Sequence, residues 1–299
     1  WAEWPTAETW PAVLMSPDGR FVVVEAMVGW QRTDLHVLDR ADGTWRPLIE
    51  GVESINTGWA FVTDSVLVGT TTHGAPSGRV VRVDLGAVDL GPDAWETVVP
   101  EGDAVLGSPA PVPGGFFLPS TRVAIDRLHF VSDDGTTRLI EGLGTCAITG
   151  LASDRATGAA VAKFSLLDRP PPASPPPRAR VPVVPPVGAR ALVPDLDVTQ
   201  VQYPSLDGTS IPMFLVHRAG DTPRPDMPTV LSGYGGFSII EIPEFSPMIA
   251  AWCGAGGMFA IAGLRGGSEY GEDWHTAGRR GNKQNVFDDF AAAADWLVA

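Results

Sequence analysis

One tyrosine stands among three glycines in "LSGYGGF": Gly233, Tyr234, Gly235, Gly236 and then Phe237. Directly before it runs the apolar stretch "MPTVL", so the phenol falls where a strand ends. Glycines let a backbone turn sharply and approach a neighbour closely. A phenolic O–H held there can donate a hydrogen bond to an oxygen on which negative charge develops. On spacing alone, Tyr234 is equally a packing residue in a tight turn. Other residue types that could do chemistry are less well arranged. The hydrolase nucleophile motif G-x-S-x-G occurs nowhere in residues 1–299, and its nearest approach is Ser268 in "RGGSEYG", where Tyr270 takes the last position. His275 stands alone in "EDWHTAGRRGNKQN" and reads as a structural or surface residue. His36, His73, His129 and His217 are scattered singly. Glu269, Glu272 and Asp273 lack metal-ligand spacing. Asp288 and Asp289 read as dipole and capping residues at a helix start. Arg265, after an apolar run, reads as an ion-pair donor without an assigned role. Cys146 and Cys253 lie far apart in unlike contexts and read as buried free thiols.

The elements around these residues fall into two kinds. Up to about residue 165 the chain is strand-like, with β-branched runs separated by Asp-Gly turns. "LHVLDRADGTWRPLIE" from Leu35, "VVRVDLGAVDLGPDAWETVVPE" from Val80 and "LHFVSDDGTTRLIE" from Leu128 repeat a strand, turn, strand pattern. A spacing in the forties is that of β-propeller blades, with a plain β-sandwich as the alternative. Three full units are expected, with "CAITGLASDRATGAAVAKFSLL" opening a fourth. A closed ring needs more blades, expected upstream of Trp1. The proline cluster at 168–188 reads as an extended connector within a propeller portion, 1–190, with an SH3-type ligand as the weaker reading. From 191 to 299 the composition changes. "VTQVQYPSLDGTSIPMFLVHRAG" reads as a hairpin. "MPTVLSGYG" and "GGMFAIAGLRGG" read as buried parallel strands. Asn285 to Ala299 reads as a helix. This is the opening of a doubly wound α/β domain, in which ligands sit beyond the carboxyl ends of the strands.

Composition bounds the function. The chain is 44% hydrophobic with ten tryptophans and twelve phenylalanines, enough for a sizeable core. Its net charge of −14 argues against a nucleic-acid partner. No apolar run approaches the roughly 18 residues of a membrane span. No initiator Met or signal peptide precedes Trp1, and the last helical pattern has no stop signal. A segment of a longer polypeptide is therefore expected, its remainder being one partner. The expected compartment is the cytoplasm, with periplasm or secretion as alternatives.

Four stretches in this order, "VQYPSLDGTSIPMFLVHRAG", "LSGYGGF", "LRGGSEYGEDWHTAG" and "NKQNVFDDFAAAADWL", resemble the prolyl oligopeptidase family of serine peptidases, in its prolyl endopeptidase branch. The likeness is dense over 198–299 and looser over 16–167. It implies a seven-bladed propeller capping an α/β-hydrolase domain, with three to four blades and the start of the hydrolase present here. It implies cleavage of short peptides after proline by Ser, Asp and His, without metal or organic cofactor, and with that triad beyond residue 299. It implies that Tyr234 donates to the oxyanion, that Phe237 lines the proline pocket and that Ile239 forms a more peripheral apolar wall. The rivals are a non-catalytic propeller-based binding protein or inactive fragment, and a related oligopeptidase or peptide macrocyclase of different specificity.

Overall fold

The computed structural model describes residues 8–143, 145–166, 194–242 and 244–299. The proline-rich stretch 168–188 and the 190/191 boundary lie outside them. Contacts divide the chain into two compact units, one holding the first two sheets and most of the third, the other the mixed sheet with its helices together with Thr121–Arg127 and Ile140–Ala152.

In the first sheet, β1 (Thr9–Met15), β2 (Phe21–Val28), β3 (Arg32–Asp39) and β4 (Thr44–Ile49) pair in order. The second repeats this with β5 (Asn56–Phe61), β6 (Val66–Thr71), β7 (Arg79–Asp84) and β8 (Glu96–Val99). A third places β10 (Ala110–Val112), β11 (Gly115–Arg122), β12 (Ile125–Ser132) and β13 (Thr137–Leu139) in order, with β9 (Val105–Leu106) also on β11. β14 (Ala147–Asp154) and β15 (Ala159–Ser165) form a two-stranded sheet. The three repeated sequence stretches are therefore the third and fourth strands along three successive sheets, the last of which carries β9 as a fifth strand. One such sheet cannot cover both of its faces, so neighbours pack on one another. Phe21, Val23, Leu35 and Val37 of the first sheet join Trp59, Phe61, Val81 and Val83 of the second in one core. This is the blade architecture of a β-propeller.

The second unit begins with β16 (Leu196–Pro204) and β17 (Ser210–Arg218), a hairpin whose register runs from Leu196↔Arg218 to Pro204↔Ser210. Its turn holds Asp207 and Gly208, the latter at φ +84°. β18 (Thr229–Ser232), α1 (Pro247–Gly254) and β19 (Met258–Ala262) follow, and the sheet order is β16-β17-β19-β18. β18 and β19 are parallel, as a strand–helix–strand crossover requires. β19 is buried throughout. β18 is not: it is the edge of this sheet among the described residues, and Thr229 and Val230 are exposed. The expectation of two buried strands thus holds for one, because an edge strand has a lateral neighbour on one side only.

Alternation along β17 and β19 sorts side chains to two faces. Phe214, Val216, Phe259 and Ile261 pack under α1 through Ile249, Ala250 and Cys253. Met213, Leu215, Ala260 and Ala262 pack on Val286, Ala292 and Ala293 of α3 (Gln284–Val298). A short helix, α2 (Glu272–Thr276), comes between β19 and α3. Helices on both faces of one sheet give the expected α/β layering. No helix among the described residues is long and apolar enough to cross a membrane. Cys146 and Cys253 are buried and free, and burial raises both thiol pKa values, that of Cys146 to about 11.

Candidate functional site

The segment after β18 carries all three sequence-nominated site residues. Tyr234 is 50% exposed, Phe237 52% and Ile239 44%, so none of the three is committed to the core. The Tyr234 and Phe237 ring centroids lie 6.2 Å apart with the planes inclined by 41°. Exposed aromatic rings on a backbone this short would ordinarily wander, and the surrounding structure explains why these need not.

The glycines serve the approach of protein elements more than open space for a ligand. Gly235 sits at φ +59°, and a Cβ there would lie 2.3 Å from Val286 Cγ1 on α3. A Cβ on Gly233 would lie 2.9 Å from Leu264 Cδ1. At Gly236 the nearest atom would be 3.7 Å away, so that position alone has room. The Lys283 ammonium donates to the Gly235 carbonyl at 2.6 Å. Phe237 and Ser238 then adopt left-handed φ values of +54° each, uncommon for residues with a Cβ.

Opposing this segment is the turn after β19. The Ser238 amide donates to the Gly266 carbonyl at 3.2 Å. Ser268 Oγ donates to the Ser238 carbonyl at 2.6 Å. The Glu241 amide donates to Glu269 Oε1 at 3.0 Å. Ser268 is thus a strut between two loops, not a nucleophile on a strand-to-helix elbow. Glu269 is almost fully buried, and burial pushes its carboxyl up to about 7, with the Glu241 charge adding to the rise. Glu241 is itself raised by burial.

Arg265 anchors this turn from below. It is 4% exposed, and its Nε lies 3.1 and 3.0 Å from the two carboxylate oxygens of Asp289. Ser205 Oγ donates to Asp289 Oδ1 at 2.6 Å, and the Tyr203 hydroxyl donates to the Asp289 carbonyl at 2.9 Å. Arg265 also pairs with Asp207, whose carboxyl it lowers to about 2. Arg265 is therefore the ion-pair donor expected of it. Asp289 corrects its expectation: it is fully buried in the body of α3, away from the first turn, because its face of the helix meets Arg265. Asp288 also lies beyond the first turn and accepts from Gln284 Nε2 at 2.9 Å.

His275 is buried, as a structural residue, with Nδ1 2.8 Å from the Gly266 carbonyl oxygen. The remaining histidines stay apart: His129 Nε2 meets Ser120 Oγ and His217 Nδ1 meets its neighbour's carbonyl. No group of three or more His, Cys, Asp or Glu that could hold a metal forms among the described residues. Lys283, Asp289 and Glu269 were not identified as loop supports from sequence. Their partners are backbone atoms or lie far along the chain, and only the lone charges within apolar, glycine-rich stretches hint at burial.

Comparison with known proteins points to one family. The model of the N-terminal β-propeller domain of prolyl oligopeptidases matches residues 2–171, and that of the prolyl oligopeptidase family matches 243–299. A prolyl endopeptidase of Elizabethkingia miricola is 31% identical over 301 residues, covering 95% of this chain and 40% of that protein. A dual function macrocyclase-peptidase of Amanita bisporigera is 46% identical over 105 residues, 35% of this chain and 14% of its own length. The structure of prolyl oligopeptidase B from Galerina marginata bound to a 25mer macrocyclization substrate superposes with a TM-score of 0.83 at 27% identity, covering 97% of this chain and 42% of that one. The chain thus spans about 40% of the length of the prolyl endopeptidase it matches. With blade-like meanders, an α/β layer and both family models in agreement, the chain belongs to the prolyl oligopeptidase family.

Proposed function

We propose that this chain is part of a serine peptidase that cleaves short peptides on the carboxyl side of proline. The attacking serine and its Asp and His partners lie beyond residue 299. Tyr234 donates from its hydroxyl to the oxygen that becomes negative when the scissile carbonyl turns tetrahedral. Phe237 offers an aromatic wall to the flat, apolar pyrrolidine of the substrate, and Ile239 extends that wall. Acyl transfer then proceeds through an ester on the serine, which water hydrolyses.

The observation that carries this reading is the pinned loop itself. Three exposed side chains, one phenolic and two apolar, sit on a backbone held by Lys283, Gly266 and Ser268. A donor fixed before the reaction starts needs no reorganisation when charge appears, and that is where such a group is most effective.

The test uses the full-length protein carrying this chain. A fluorophosphonate should label one serine outside residues 1–299, and a proline peptide should be cleaved well ahead of its alanine counterpart. Tyr234→Phe should lower kcat by roughly 10²–10³ with little change in KM. Equal rates on the two peptides would remove proline specificity, and absence of labelling would remove the serine chemistry.

A second reading is favoured by the likeness of part of this chain to a macrocyclase-peptidase, 46% identical over 105 residues. In it the acyl group passes to the amine of the same peptide instead of to water. Mass spectrometry of the products separates the two, since the cyclic product lacks the added water.

A further inference from the structure

We propose that His275 is a positioning residue for the substrate side of the loop, acting through the Gly266 carbonyl to hold Ser238 and hence Phe237. Two consecutive residues with side chains, Phe237 and Ser238, share a left-handed φ of +54°. Such a conformation persists only where the surroundings over-determine it. The peptide that constrains it is Gly266, whose oxygen receives the Ser238 amide at 3.2 Å.

His275 Nδ1 lies 2.8 Å from that same oxygen and 3.2 Å from the Ser238 nitrogen. A ring nitrogen presents either a proton or a lone pair, and a carbonyl oxygen can only accept. The shorter contact therefore requires the proton on Nδ1. The Ser238 amide then gives its hydrogen to the Gly266 oxygen, which accepts from both. Gly266 has no side chain with which to fix itself. At φ +95°, with a Cβ that would lie 2.7 Å from the Gly235 oxygen, it cannot carry one. Its amide is held by the Trp274 carbonyl at 2.9 Å, one residue before His275. One turn of α2 thus clamps both polar atoms of the Gly266 residue, and the loop hangs from the carbonyl. His275 itself is 4% exposed, so it acts from beneath the loop.

The activity readout rests on the peptidase reading above, and the structural readout does not. His275→Asn retains an N–H one bond from Cγ, at the place of Nδ1. His275→Gln moves it one bond further, and His275→Ala removes it. In the full-length enzyme, Gln and Ala should raise KM for the proline peptide roughly tenfold, keep kcat within about threefold and weaken the preference for proline over alanine. Asn should return KM to within about threefold of wild type. Hydrogen exchange at the Ser238 amide should quicken in Gln and Ala but not in Asn. If Ala does not fold, the contrast between Asn and Gln still decides. An Asn variant no better than Gln, or unchanged Ser238 exchange in all variants, would overturn the proposal. A wild-type enzyme without proline preference would sink the peptidase reading alone, with Ser238 exchange left to judge the clamp.

Discussion

Lys283 Nζ donates to the carbonyl oxygen of Gly235 at 2.6 Å, tying the N-terminal end of α3 to the residue that directly follows Tyr234. The ammonium also sits 5.9 Å from the Phe287 ring centroid, so the side chain is steadied from a second direction. A hydrogen bond from a charged donor is stronger than one between neutral groups. Lys283→Met keeps the aliphatic stem and removes the donor. On the proposed role of Tyr234, kcat should fall by roughly tenfold with KM nearly unchanged, because a donor to the oxyanion acts in the transition state only. Lys283→Arg should recover part of the loss. Steady-state kinetics on a proline peptide checks this, and an equal rise in KM would place Lys283 with substrate binding instead.

Breaking the Arg265–Asp289 pair from one side should cost far more than replacing it whole. Asp289→Ala leaves a buried guanidinium without its principal partner, and removing one member of such a pair destabilises by about 3–5 kcal/mol. The Arg265→Met, Asp289→Leu double variant should be less destabilised than the sum of its single changes, since the unpaired charge is gone. Denaturant titrations of the four proteins give the coupling. Strict additivity would mean that the two residues act independently.

Glu269 should make the second unit less stable as pH rises. Its folded value is about 7 against an ordinary 4.5, the first cause being burial. Below 4.5 the group is protonated folded or unfolded and contributes no slope. Between 4.5 and about 7 the unfolded chain ionises while the folded chain holds its proton, so stability falls; above about 7 the slope ends. The full drop is about 3 kcal/mol. Glu269→Gln should abolish that slope while leaving the Glu241 amide an acceptor. Glu25, raised to about 7 by burial in the first unit, gives the same sign, so the readout is the difference between variant and wild type across pH 4 to 9. Parallel curves for the two proteins would show that Glu269 does not hold its proton.

The sequence by itself determined the repeated strand pairs, the hairpin around Asp207 and Gly208, the α3 helix and the position of Tyr234 beyond a strand. These are local: alternation, turn chemistry and helical spacing act over a few residues and leave their mark in order along the chain. Tertiary structure alone decided what the glycines of "LSGYGGF" are for. Gly235 yields to Val286, some fifty residues later, and Gly266 yields to Gly235 in turn. It likewise decided that Asp289 faces Arg265, that β18 stands at an exposed edge, and that His275 and Ser268 brace a loop. Each depends on which surfaces meet when distant segments pack, and a backbone carbonyl used as the common anchor has no side-chain letter to announce it.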